Sequence, residues 1–103
     1  MGVSFNPEFS DVLNDGYVTN SVNVTTSPVE AKAGGSRLSG RECVTIENTG
    51  NKTLYYGPTG VTASTGAPLF KGQFVSLPIG ENIGVFLICG IGDSTTAIVQ
   101  EMA

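Results

Sequence analysis

The chain has 103 residues, with 5 Lys and Arg against 9 Asp and Glu, for a net charge of −4. A second hydrophobic core would need roughly another hundred residues, so the length fits one domain. The absence of His excludes a Ser-His-Asp triad, a Cys-His pair and a His-ligated metal, and five basic residues in an acidic chain argue against a phosphate-binding groove.

Charged residues make up 14% of the chain, against about a quarter in ordinary domains, and Gly is about twice as common as usual. This composition favours a structural or binding module over an enzyme. Cys43 and Cys89 form no CxxC pair, which removes zinc-ribbon and thioredoxin-like readings. Both sit in apolar strand-like runs, where a free thiol packs as a small hydrophobe. Met1–Ser10 has no basic stretch leading into an apolar core, so it does not read as a signal peptide. The longest uncharged apolar stretch, Asn82–Gly92, is too short and Gly-rich to span a bilayer. A soluble protein made in a reducing cytosol is expected, with neither membrane nor nucleic acid as partner.

In residues 1–20, Phe5, Phe9, Leu13 and Tyr17 recur every four positions, but Pro7, Asn14, Asp15 and Gly16 interrupt the helical spacing. An extended arm is expected there, with its aromatics covered by the domain or by a neighbouring molecule. Residues 21–103 read as the folded domain. Val22 and Val24 alternate with polar residues in a strand over 21–26, and Ser27-Pro28 ends it. A flexible connection follows, with a strand start expected at Arg37-Leu38. Arg41–Glu47 reads as a strand with Val44 and Ile46 on one face and Cys43 and Thr45 on the other. Asn48–Lys52 is a turn, and Thr53–Gly57 returns, so the pair is expected to form a β-hairpin.

Pro58–Pro68 is an uncharged loop in which Val61 and Ala63 suggest a short edge strand. Another strand starts near Gln73. Ile83–Cys89 is a continuous apolar run that fits a strand buried on both faces. Gly90–Ser94 reads as a hairpin loop. Thr95–Met102 closes the chain with Ala97 and Val99 on one face and Ile98 and Gln100 on the other. Short strands with regular Gly and Pro punctuation predict an all-β protein, a single small β-sandwich or jelly-roll-like barrel with an N-terminal arm. Neither terminal strand is protected by charge, so pairing with another subunit would cover an edge.

Chemistry-bearing patterns are sparse. Glu42 and Glu47 fall on opposite faces of their strand, and with Glu101, Asp11 and Asp15 they read as solvated surface acids. Gly84, Gly90 and Gly92 do not form a dinucleotide fingerprint and read as turn or bulge residues. Two Asn-x-Thr sequences, at Asn23 and Asn51, read as chance matches to the glycosylation pattern. Tyr55, Tyr56 and Phe74 are the candidates for an aromatic platform, although adjacent strand residues point to opposite faces, so only one of the tyrosines can be in the core. No catalytic residue, metal ligand or cofactor site is expected.

The run from Arg41 to Gly57, with its Asn-Thr-Gly turn and Leu-Tyr-Tyr-Gly strand, continues through Gly60–Leu69 and Lys71-Gly72 to Ala97–Glu101. Over about residues 37–102 this resembles small tailed-bacteriophage virion proteins that decorate heads or build fibre and adaptor domains. The resemblance implies a β-sandwich module, commonly a homotrimer, that binds a preformed capsid lattice. It implies the major capsid protein as partner and the virion exterior as location. Phe5, Phe9 and Tyr17 would then anchor the arm on the shell or on a sister subunit. The alternative is a receptor- or carbohydrate-binding domain of a phage fibre or tail, using Tyr55 or Tyr56 and the polar loop that carries Thr59 and Thr62.

Overall fold

In the computed structural model, which describes residues 15–103, the alternating apolar pattern resolves into eight strands without a helix. They are β1 (Tyr17–Val24), β2 (Val29–Glu30), β3 (Cys43–Asn48), β4 (Leu54–Gly57), β5 (Ala67–Leu69), β6 (Phe74–Leu77), β7 (Phe86–Cys89) and β8 (Thr95–Met102). Two four-stranded sheets form, ordered β1-β8-β3-β6 and β2-β7-β4-β5, and every ladder is antiparallel. The all-β sandwich read from the sequence is the fold. Its strand order is that of a jelly roll. The chain pairs as one long hairpin, with β4·β5 innermost and then β3·β6, β2·β7 and β1·β8. Rolling that hairpin puts successive pairs alternately into the two sheets.

Period-two burial shows which face of each strand is inside. β8 alternates buried and half-buried along its whole length, with Thr95, Ala97, Val99 and Glu101 inward. Val24, Val44 and Ile46 join Ala97 and Val99 from the first sheet, and Leu54, Leu69, Leu87 and Cys89 meet them from the second. Such side chains, removed from water, supply about 1.5–3 kcal/mol each for the larger residues. Because all ladders are antiparallel, the β1–β2, β3–β4, β5–β6 and β7–β8 connections gather at one end, here called the upper end. The β2–β3, β4–β5 and β6–β7 connections and the start of β1 lie at the lower end.

Several local expectations change. β3 and β4 are not a hairpin: β3 pairs with β6 and β8, and β4 with β5 and β7. The 49–53 connection instead crosses between sheets, which lie about 10 Å apart in such sandwiches. The chain is held at the crossing by Asn48, whose amide donates to the Lys52 and Leu69 carbonyls. Its oxygen accepts from the Gly50 amide and the Thr95 hydroxyl. The 90–94 loop likewise crosses between sheets. β1 begins at Tyr17, so residues 17–20, expected in the arm, belong to the sheet. The Gly16 amide donates to the Ala103 carbonyl and the Ala103 amide donates back to Gly16, which ties the strand start to the last residue. Residues 37–38 lie in a connection, and so do Val61 and Ala63. The strand expected from Ile83 is confined to Phe86–Cys89, and Ile83 is exposed. The last strand, β8, sits between β1 and β3 and is not an edge.

Candidate interaction surfaces

The only ion pair among the described residues with both side chains fully buried joins Arg41 and Glu101, Nη1 to Oε2, at 2.7 Å. Glu101 follows Ala97 and Val99 on the inward face of β8, so the expectation of a surface acid is corrected. Its carboxylate also accepts from the amides of Ala33 at 2.8 Å and Leu38 at 3.3 Å. Arg41 spends its remaining donors on the carbonyls of Ile79, Gly80 and Ile83. One buried pair thereby fastens two of the three connections of the lower end, 31–42 and 78–85, to β8. No buried side-chain polar atom among the described residues lacks a partner. With both side chains out of contact with water, the pair acts as a structural clamp.

The candidate contact residues are dispersed. Phe5 and Phe9 lie outside the described residues. Tyr17 opens β1 with 65% of its surface exposed and stands opposite Met102. Tyr55 points outward from the second sheet, between Pro68 and Ile88, whereas Tyr56 packs against the core. Phe74 is exposed on the outer face of the other sheet, opposite Glu47, so Phe74 and the tyrosines form no common platform. Thr59 is exposed in the β4–β5 connection. Thr62 is exposed too, but its hydroxyl bonds to those of Ser64 and Thr65, which fastens the turn. Thr62, Ala63 and Ser64 share an open groove of about 550 Å³ with Ile88 and Ile91.

Two surfaces are brought together that no sequence motif marks. The first is the outer face of the β1-β8-β3-β6 sheet. Cross-strand register sets Tyr17, Met102 and Cys43 in a lower row, and Thr19, Gln100, Thr45 and Ser76 in a middle row. Ser21, Ile98, Glu47 and Phe74 make the row above. In these rows only Glu47 is charged. The second surface is the upper end, where the Thr49 amide donates to the Thr96 carbonyl and the Gly72 amide to the Asn48 carbonyl. Those bonds put the 90–94, 49–53 and 70–73 loops side by side. They present Ile91, exposed in full, and Phe70, exposed over half its surface, on loops that also carry the exposed Lys52 and Lys71 and the half-buried Asp93. Short of a motif, an Ile between two glycines and a Phe before Lys-Gly are the local features from which these loops could have been singled out, since a turn has no packing use for either.

The remaining features are less informative. An apolar cleft of about 230 Å³ opens between the sheets at the lower end, lined mainly by Tyr56, Leu77, Ile79, Ile83 and Val85. Both cysteines are free: Cys43 is half-buried on the outer face and Cys89 is in the core. Burial pushes the Cys89 thiol above its usual pKa, Asp93 adds to the rise, and the Thr95 backbone hydrogen bond opposes it. Among the described residues no group of three His, Cys, Asp or Glu could hold a metal ion, and no helix is long and apolar enough to cross a membrane. Comparison with protein-family models finds no match, and neither does comparison with curated proteins.

Proposed function

We propose that this protein is a non-enzymatic virion structural protein, one that binds the outside of a bacteriophage capsid as a homotrimer and stabilises it. The observation that carries the reading is the surface: the jelly roll leaves a nearly uncharged sheet face, and Ile91 and Phe70 on the upper loops, open to contact. Depletion of charge together with exposed aromatic and aliphatic side chains is the composition of contact surfaces. The strand order adds support by analogy, because jelly rolls recur in viral capsid proteins, although a fold alone does not specify a function. A cement protein needs rigidity, valency and contact area. Binding the assembled shell in preference to free shell subunits stabilises assembly by mass action, and a trimer multiplies modest single contacts.

In this reading the major capsid protein is the partner, and Phe5, Phe9 and Tyr17 contact the shell or a sister subunit. The test is co-sedimentation of the purified chain with heads assembled without it, followed by thermal rupture of those heads. The expected result is a saturable pellet and a higher rupture temperature. Heads that neither bind the chain nor change in stability overturn the proposal. Retention by host cells or polysaccharide instead would favour a fibre or tail receptor-binding domain, for which the groove beside Thr62 and Ile88 is the available site.

A further inference from the structure

The two sheets are covered unequally. Over the β2-β7-β4-β5 sheet the chain supplies its own cover. Ile88, which points outward there, is only 8% exposed and borders Thr62, Ala63 and Ser64 of the β4–β5 connection. Arg37 pairs with Glu30 at the outer edge. Over the β1-β8-β3-β6 sheet no described segment lies on the outer face, and 65% of Tyr17 and 69% of Phe74 remain exposed. A solvated antiparallel face is ordinarily polar, and the Thr19, Gln100, Thr45 and Ser76 row is. What sets this face apart is that its middle and lower rows carry no charge and that Tyr17 and Phe74 stand exposed on it.

We infer that this face is the self-association surface of the protein, turned towards the same face of the other two copies about a three-fold axis. Its dimensions suit that role. Four strands spaced about 4.8 Å and four to eight residues long, at about 3.3 Å per residue, give a flat footprint of roughly 400 Å². That is about half of the roughly 800 Å² per partner of a standard interface, before the relief of the side chains is counted. Its chemistry points to a second copy and not to a different partner. The face has no cation and a single acid, so it offers no charge pattern by which to select an oppositely charged protein. Its Thr, Ser and Gln side chains each donate and accept hydrogen bonds, which makes the face complementary to itself. Glu47 lies above the middle and lower rows, towards the upper end, where the rim of an interface tolerates charge.

The inference deepens the trimeric reading by naming the surface that joins the copies, and it is tested apart from head binding. Light scattering on the purified full chain at about 100 µM, far above a micromolar dissociation constant, should give a mass that is a multiple of the 10.6 kDa protomer. Gln100→Lys, in the middle row, should reduce the mass to that of one protomer, and Thr45→Lys provides a second variant should the first fail to fold. Ser64→Lys, on the loop beside the other sheet, should leave the mass unchanged. Cys43, on the lower row of the face, should be alkylated at least tenfold faster in Gln100→Lys than in the unaltered protein. A monomeric full chain overturns the inference, whether the face is bare or covered by residues 1–14. So does an oligomer that persists in both Lys variants. Head binding by a monomer would leave the proposed decoration role standing and remove only this surface.

Discussion

Replacing Glu101 with Gln tests whether the buried clamp organises the lower end. The substitution preserves shape but removes the charge that faces Arg41 Nη1 at 2.7 Å. It also turns one of the two carboxylate oxygens into a donor, so the Ala33 and Leu38 amides cannot both keep an acceptor. Breaking one side of a fully buried pair costs about 3–5 kcal/mol, chiefly because the partner charge stays buried without compensation. The whole domain has only about 5–15 kcal/mol to lose. At about 4–8 °C per kcal/mol for a domain of this size, Tm should fall by at least about 12 °C. Urea unfolding followed by circular dichroism should show a lower midpoint at an unchanged slope. The double variant Arg41→Met/Glu101→Leu should recover much of the loss, because replacing both charges removes the desolvation penalty. Hydrogen exchange should accelerate first at the Ala33 and Leu38 amides. A Glu101→Gln protein within about 1 kcal/mol of the unaltered one, less than a typical single hydrogen bond to a charged group, would refute the clamp.

Four further outcomes are expected. Asn48→Ala strands the Lys52 and Leu69 carbonyls and the Thr95 hydroxyl, and should cost about 2–4 kcal/mol in urea unfolding. Gly50→Ala should cost about 1–3 kcal/mol, since its Cβ would fall 2.7 Å from the Thr96 amide nitrogen and meet the Thr95 side chain. Thr95→Ala added to it should recover only part, because the backbone clash remains. In a Cys43→Ser background, Cys89 should be alkylated only on unfolding. Its raised folded pKa means that its stability contribution is whole below the unfolded value of about 8.5 and is lost as pH rises through the folded one. Urea midpoints taken across that range should therefore fall on the alkaline side. Deleting residues 1–14 removes Phe5 and Phe9 and keeps the Gly16–Ala103 bonds. It should abolish head binding with little change in Tm, whereas extending the deletion through Tyr17 would cut into β1.

Glu101 shows how far the linear pattern reaches. Ala97 and Val99 on one face of a strand imply that Glu101 shares it, so its burial was legible in the alternation. Its charge concealed this, because a carboxylate in a core is tolerable only with a partner, and Arg41 stands 60 residues away. The 49–53 turn fails in the opposite way. Its Asn and Gly suit a hairpin, yet β3 takes β6 and β8 as neighbours. Those strands are remote in sequence, and turn chemistry carries no information about them. The exposed tip was spread over three connections, and its members become neighbours only when the roll closes.

The sequence by itself determined the longer strands, their inward faces and the all-β class, because side-chain alternation and turn residues act within a few positions of one another, whereas the short β2 and β5 fell in segments that read as connections. It also determined the scarcity of charge. The tertiary structure alone decided which strands pair, that Arg41 and Glu101 meet in the core, and that one sheet keeps an open outer face with Glu47 as its one charge while the other is covered. Each of these is a contact between segments distant in the chain. It is selected by the burial of a whole apolar set at once, which no local window of residues encodes.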